Sequence, residues 1–125
     1  MQNQVQDLIN ANKVMVFSKG YCPFCTKTKD MLKSKGVAFH AVEMDEMAGG
    51  DALHQNLKTF SGQNTVPNTY INGKHMGGND DMQAAAKNGK LKQALDAAGV
   101  ANSLWILDDK RAKLWLIFAI FYLQN

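Results

Sequence analysis

Cysteine is scarce in this chain: two residues, at positions 22 and 25, among 125. Two cysteines so close together cannot tie distant segments, which excludes a structural disulfide framework. They are also too few for a zinc site built within one chain. The three histidines, His40, His54 and His75, are scattered without ligand spacing, so no metal is expected. Excess charge is lacking too. Fourteen Lys and Arg against 11 Asp and Glu leave a net charge of +3. With no basic tract standing out, nucleic acid is not an expected partner. The opening Met1-Gln2-Asn3-Gln4-Val5-Gln6-Asp7 has neither a basic start nor an apolar stretch. No leader is read there, and the expected location is a reducing compartment, most simply the cytoplasm. Internal repeats and low-complexity linkers are missing as well. The length fits one domain that folds without staples. A hydrophobic content of 46% and a charged content of 20% are those of a globular protein.

What is present is concentrated in Ser18-Lys19-Gly20-Tyr21-Cys22-Pro23-Phe24-Cys25. This stretch follows the short apolar run Lys13-Val14-Met15-Val16-Phe17, which reads as a buried strand over 13–18. Pro23 suits the first position of a helix, where its missing N–H costs nothing. Phe24, Thr28, Met31 and Leu32 continue at helical spacing, and Gly36 is placed to end a helix over about 23–35. Cys22 therefore falls at the helix N-cap. There the unpaired backbone N–H groups and the helix dipole favour a thiolate, and Lys19 adds a positive charge nearby. A thiolate separated by two residues from a second cysteine is a device for thiol–disulfide exchange. In a reducing compartment a Cys-x-x-Cys reads as redox chemistry.

The remaining elements follow in order. Val5, Leu8 and Ile9 mark an amphipathic helix over 2–11, ended by Asn10 and Asn12. Residues 37–44 alternate as a second strand. Asp51 is placed to cap a helix lined by Leu53, Leu57 and Phe60 and closed by Gly62. Asn68-Thr69-Tyr70-Ile71 is a third strand. Asn72-Gly73 is a strong hairpin signal, so Lys74-His75-Met76 forms an antiparallel edge strand. Gly77-Gly78 leads into a final helical region with a break at Asn88-Gly89 and a stop at Gly99. The order β-α-β-α-β-β-α belongs to the α/β class, with a right-handed crossover between the first two strands. Sequence pattern alone leaves the strand order open.

Three blocks, Cys22-Pro23-Phe24-Cys25, Thr65-Val66-Pro67 and Asn72-Gly73-Lys74-His75-Met76-Gly77-Gly78-Asn79-Asp80-Asp81, together resemble the glutaredoxins of the dithiol class. The likeness covers residues 1–100, which form one domain on this reading. It implies a thioredoxin-like fold, with a mixed four-stranded sheet flanked by helices on both faces. It also implies a glutathione-dependent oxidoreductase that reduces glutathionylated proteins and small mixed disulfides, with glutathione as co-substrate. Cys22 would be the nucleophile and Cys25 the resolving thiol, or else a packing residue. Lys19 would partner the thiolate or the glutathione glycine carboxylate, or would be an ordinary surface lysine. Tyr21 and Phe24 would rim the cleft or merely pack. The family places a cis bond at Val66-Pro67, which would let the Val66 backbone pair with the cysteinyl unit of glutathione as an added strand does. Asn64 and Thr65 would lie beside it. The helix start at Gly78, Asn79, Asp80 and Asp81 would receive the γ-glutamyl carboxylate. Asp80 and Asp81 suit its ammonium group yet repel its carboxylate. Asn64 stands where relatives often carry Arg or Gln, and His54 where many have Gln. Both departures touch the site that holds the glycine carboxylate.

The last 25 residues, 101–125, lie outside the resemblance. Residues 114–123 are apolar without interruption, but a helix of that length spans only about 15 Å, half a hydrocarbon core. Lys110, Arg111 and Lys113 precede it, and Trp115 and Tyr122 mark its ends. This C-terminal apolar extension reads as a weak membrane anchor, a surface for self-association or packing through 104–123, or a non-native extension. Two alternatives to the main reading are a glutathione-ligated [2Fe–2S] cluster held by a dimer through Cys22, and a thioredoxin served by its own reductase. Pro23 argues against the first, since the family's cluster binders more often have small residues there. The blocks around Pro67 and Gly78 argue against the second.

Overall fold

Four strands form one mixed sheet in the order β2-β1-β3-β4. A computed structural model describes residues 2–104 of the protein. The elements are α1 (Gln2–Ala11), β1 (Val14–Ser18), α2 (Pro23–Ser34), β2 (His40–Glu43), α3 (Gly50–Ser61), β3 (Asn68–Ile71), β4 (Lys74–Gly77), α4 (Asn79–Asn88) and α5 (Lys90–Ala97). The central strand β1 is buried at every residue. It pairs in parallel with β2, with Ser18 opposite Glu43, and antiparallel with β3. Parallel pairing needs a crossover, and α2 supplies it.

Alternation along β1 sorts the core into two layers. Val14 and Val16 face Leu32 of α2, Met82 of α4, and Leu91 and Leu95 of α5. Met15 and Phe17 face Val5 and Ile9 of α1 and Leu53 and Leu57 of α3. Helices therefore cover both faces of the sheet, as the thioredoxin-like reading requires. Ser18 ends β1 on the side of Val14 and Val16, the side of α2.

Local chemistry explains most boundaries. Asn12 Nδ2 donates to the Leu8 carbonyl at 2.9 Å and closes α1. Asn72 and Gly73 both have positive φ, 50° and 80°, the mirror-image turn that an Asn-Gly hairpin adopts. Gly77 has φ 95°, and a Cβ there would collide with the Asp81 carboxylate. No other residue fits that junction.

Three expectations are corrected. The second strand begins at His40 rather than residue 37. The Val37 N–H donates to the Leu32 carbonyl at 3.0 Å and the Gly36 N–H to the Lys33 carbonyl at 3.0 Å. These two bonds close α2 and withdraw residues 36–37 from the ladder. The strand also stops before Met44, because Met44–Glu46 form a turn of 3-10 helix. Finally, α3 is capped by Gly49, whose carbonyl accepts the Leu53 N–H at 3.0 Å. Asp51 lies in the first turn instead, where a negative charge still suits the dipole.

Packing continues past residue 100. The Ser103 N–H donates to the Lys35 carbonyl at 2.8 Å, and Asn102 Nδ2 donates to Asp96 Oδ1 at 3.0 Å. Leu104 is buried with Leu91 and Leu95. The apolar run 114–123, and the readings placed on it, lie outside the described residues.

Candidate active site

Cys22 is the N-cap of α2, with Pro23 at the first helical position. Its Sγ accepts the Cys25 N–H at 3.4 Å. Its own N–H donates to the Lys19 carbonyl at 3.0 Å. The loop before it is pinned by the Gly20 N–H, which donates to Asp45 Oδ1 of the 3-10 turn at 2.8 Å. Cys22 keeps 8% of its surface accessible while Cys25 has none. Both are free thiols. The chain thus presents one sulfur to solvent and hides the other a turn below it.

That difference shows in the chemistry of Cys25. Burial pushes its thiol up to about 11, and neighbouring Cys22 adds to the rise. The backbone of Lys19 and the Ser18 hydroxyl oppose it. At pH 7 a thiol with that value is ionised in only about one molecule in ten thousand. Iodoacetamide at pH 7 is therefore expected to alkylate Cys22 and spare Cys25. The Cys25 rate should then rise about tenfold per pH unit up to pH 10, because its thiolate fraction does. Peptide mapping checks this, and equal labelling of both cysteines at pH 7 contradicts it.

Beside Cys22 lies a groove of about 410 Å³, lined by Phe24, Gln63, Thr65, Val66, Pro67, Gly78, Asn79, Asp80 and Asp81. The Val66-Pro67 bond is cis. The Cys22 thiol points at the Val66 carbonyl, 3.7 Å away. Gly78 is the N-cap of α4, and its N–H donates to Asp81 Oδ2 at 3.2 Å. Asp81 therefore already serves the helix start. The Asn79 side chain is turned toward α2, where its Oδ1 accepts from Thr28 Oγ1 at 3.0 Å. Phe24 is half-exposed on the rim, with the Lys27 ammonium 5.2 Å from its ring centre.

Lys19, Tyr21 and Asn64 are not among the residues lining this groove. Tyr21 is exposed over 73% of its surface. Lys19 lies near His54, whose proton affinity is lowered by burial first and then by the Lys19 and Lys58 charges. His54 Nε2 is buried without a hydrogen-bond partner among the described residues.

Gln63 and His75 were not legible from the sequence as site residues. Gln63 Nε2 donates to the Thr65 carbonyl at 2.9 Å and to the Pro67 carbonyl at 3.0 Å. Its Oε1 faces His75 Nε2 at 3.1 Å, and that nitrogen also faces Asn68 Oδ1 at 2.9 Å. Two carbonyl-type acceptors require a proton on Nε2. The pair braces the Thr65–Pro67 segment, with Gln63 also on the groove wall. In the sequence Gln63 merely follows a helix stop, and His75 sits in an edge strand.

The family model described as Glutaredoxin matches residues 14–76. A glutaredoxin of Vernicia fordii is 40% identical over 100 residues, which cover 80% of this chain and 96% of that protein. Glutaredoxin-1 of Rhizophagus irregularis is 44% identical over 97 residues, covering 78% and 96%. Among solved structures, the crystal structure of a buckwheat glutaredoxin–glutathione complex matches with a TM-score of 0.77 and 37% identity, covering 80% of this chain and 91% of that one. Oxidized glutaredoxin 2 from Chlamydomonas reinhardtii matches with a TM-score of 0.73 and 41% identity, covering 78% and 92%. With a sulfur that keeps some access to solvent at a helix mouth and relatives this close along most of their length, the chain belongs to the glutaredoxin family.

Proposed function

We propose that this protein is a glutathione-dependent thiol–disulfide oxidoreductase that works through Cys22. The observation that carries the reading is the placement of Cys22 Sγ. It accepts the Cys25 N–H at the mouth of α2 and lies 3.7 Å from the Val66 carbonyl, at the edge of the groove. The Cys22 thiolate attacks the glutathione sulfur of a glutathionylated protein or small mixed disulfide. The S–S bond breaks, and the substrate thiol leaves with the electron pair. Cys22 now carries glutathione. A second glutathione thiolate then attacks the bound glutathione sulfur and releases glutathione disulfide. Alternatively Cys25 attacks the Cys22 sulfur, forms the 22–25 bridge and expels glutathione.

The groove supplies the glutathione site in this reading. Backbone at Val66 pairs with the cysteinyl unit. The α4 N-terminus at Gly78 and Asn79 receives the γ-glutamyl carboxylate, with Asp80 and Asp81 beside its ammonium group. Thr65, Pro67 and Phe24 wall the groove. Lys19, His54 and Asn64 mark where the glycine carboxylate ends, and Tyr21 faces the protein partner.

Mass spectrometry tests the assignment. Cys25→Ser protein incubated with glutathione disulfide is expected to gain one glutathionyl group, on Cys22. Modification elsewhere, or none, overturns the reading. Among the described residues no group of three or more His, Cys, Asp or Glu could hold a metal ion.

A further inference from the structure

Strand β3 opens on a polar side chain with no accessible surface, Asn68. Its amide must find partners inside the fold. Asn68 Nδ2 donates to Ser61 Oγ at 3.0 Å, and Ser61 Oγ donates to the Leu57 carbonyl of α3 at 2.8 Å. Asn68 Oδ1 is thereby the acceptor that faces His75 Nε2 at 2.9 Å. The row continues from His75 Nε2 to Gln63 Oε1 at 3.1 Å. It ends where Gln63 Nε2 donates to the Thr65 and Pro67 carbonyls, at 2.9 and 3.0 Å. Carbonyls only accept, so the Gln63 nitrogen has to face them and its oxygen has to face a donor. The His75 Nε2–H is that donor.

The fold assembles the row from three elements. His75 is the register partner of Tyr70 in the antiparallel β3–β4 pair, and Asn68 is two residues from Tyr70. All three therefore share one face of the sheet. The His75 ring rests 5.1 Å from the Tyr70 ring, centre to centre. Gln63 follows the Gly62 stop of α3, and its N–H donates to Ser61 Oγ at 3.1 Å. With the carbonyls of Thr65 and Pro67 tied back, Val66 between them keeps its own carbonyl for the Cys22 side, 3.7 Å from Sγ. A Cβ on Gly78 would stand 3.8 Å from Gln63 Nε2, so the same amide also packs against the start of α4.

We propose that Gln63 and His75 are positioning residues that make this site selective for disulfides whose sulfur is carried on a peptide backbone. This rests on the glutathione reading given above and deepens it. Backbone at Val66 can pair only with a ligand that has amides beside its sulfur, and that pairing needs the Val66 peptide held at one angle. Gln63 holds it from both flanks, and His75 keeps the Gln63 amide from turning over. Neither residue takes part in the exchange itself. There the Cys22 thiolate attacks one sulfur, the S–S bond breaks, and the other half leaves with the electron pair.

Two disulfides separate positioning from chemistry. Reduced Cys25→Ser protein is mixed with glutathione disulfide or with bis(2-hydroxyethyl) disulfide, which has an S–S bond but no amide. Acid quenching and mass analysis give the rate of the Cys22 adduct for each. His75 does not line the groove. His75→Leu in this background is nonetheless expected to slow the glutathione adduct about 10-fold or more, towards the roughly 100-fold cost of a displacement of about 1 Å. The hydroxyethyl adduct should form within about twofold of the parent rate, because it uses no backbone pairing. His75→Gln offers two amide hydrogens for the two acceptors and should restore the glutathione rate to within about threefold. Gln63→Leu is the second variant and should reproduce the His75→Leu pattern. Equal slowing with both disulfides marks a merely structural role and overturns the proposal. A selective parent whose preference survives His75→Leu and Gln63→Leu also overturns it, and leaves the glutathione reading standing. A parent that reacts no faster with glutathione disulfide than with bis(2-hydroxyethyl) disulfide overturns the glutathione reading itself, and the selectivity falls with it.

Discussion

Cys22→Ser is expected to lower glutathione-coupled disulfide reduction by about 1000-fold or more, because the step it removes has no substitute. A serine hydroxyl is not ionised near neutral pH and forms no exchangeable bond to sulfur. The neighbouring thiol cannot take over, since Cys25 has no accessible surface and its proton is held up to about 11. Cys25→Ser should behave oppositely. It keeps the accessible nucleophile and the groove, and a second glutathione from solvent can still release the adduct. Turnover within about threefold of wild type is expected with glutathionylated substrate, against the loss in Cys22→Ser. The coupled assay on both variants decides. Survival of Cys22→Ser, or equal loss in both, would sink the assignment of roles.

Phe17→Ala should cost the most stability of any single truncation near the site. Phe17 has no accessible surface and meets Tyr70 edge-on, ring centres 6.2 Å apart. It fills the layer between the sheet and the pair α1 and α3. Emptying that space loses transfer free energy and leaves a cavity that a central strand cannot collapse to fill. The expected loss is about 3–5 kcal/mol, a large part of the roughly 5–15 kcal/mol that holds a domain together. Phe60 is the control. It too lies against Tyr70, at 6.0 Å, but remains 40% exposed. Phe60→Ala should cost about 1 kcal/mol, in the ordinary range for a point mutant. Urea unfolding with unchanged slope reads both, and similar midpoints for the two variants would refute the ranking.

The contrast between these phenylalanines shows how far the sequence could be read. Period and caps placed α1, β1, α2, β3 and the hairpin, because those signals are carried by the residues themselves. Phe60 matched the face of Leu53 and Leu57 by spacing, but it stands in the last turn, where the layer below has narrowed to the Tyr70 ring. Residues 37–39 looked like strand because Val37 and Phe39 are apolar. The Val37 N–H, however, donates to the Leu32 carbonyl at the end of α2. The two cysteines, the Thr65–Pro67 segment and the start of α4 carry local signals and converge on one groove. Gln63 and His75 do not. Their meaning lies in which strand is beside which, and a single chain read end to end does not contain that.

The sheet order has a consequence for the protein at high concentration. Its outer strands, β2 and β4, are four residues each. One carries His40 and Glu43 and the other Lys74 and His75. Short rims studded with ionisable groups make poor templates for recruiting a further strand from another molecule. Cross-chain ladder growth has little backbone to start from, and the long, flat, apolar ribbon that seeds fibrils does not occur along either margin.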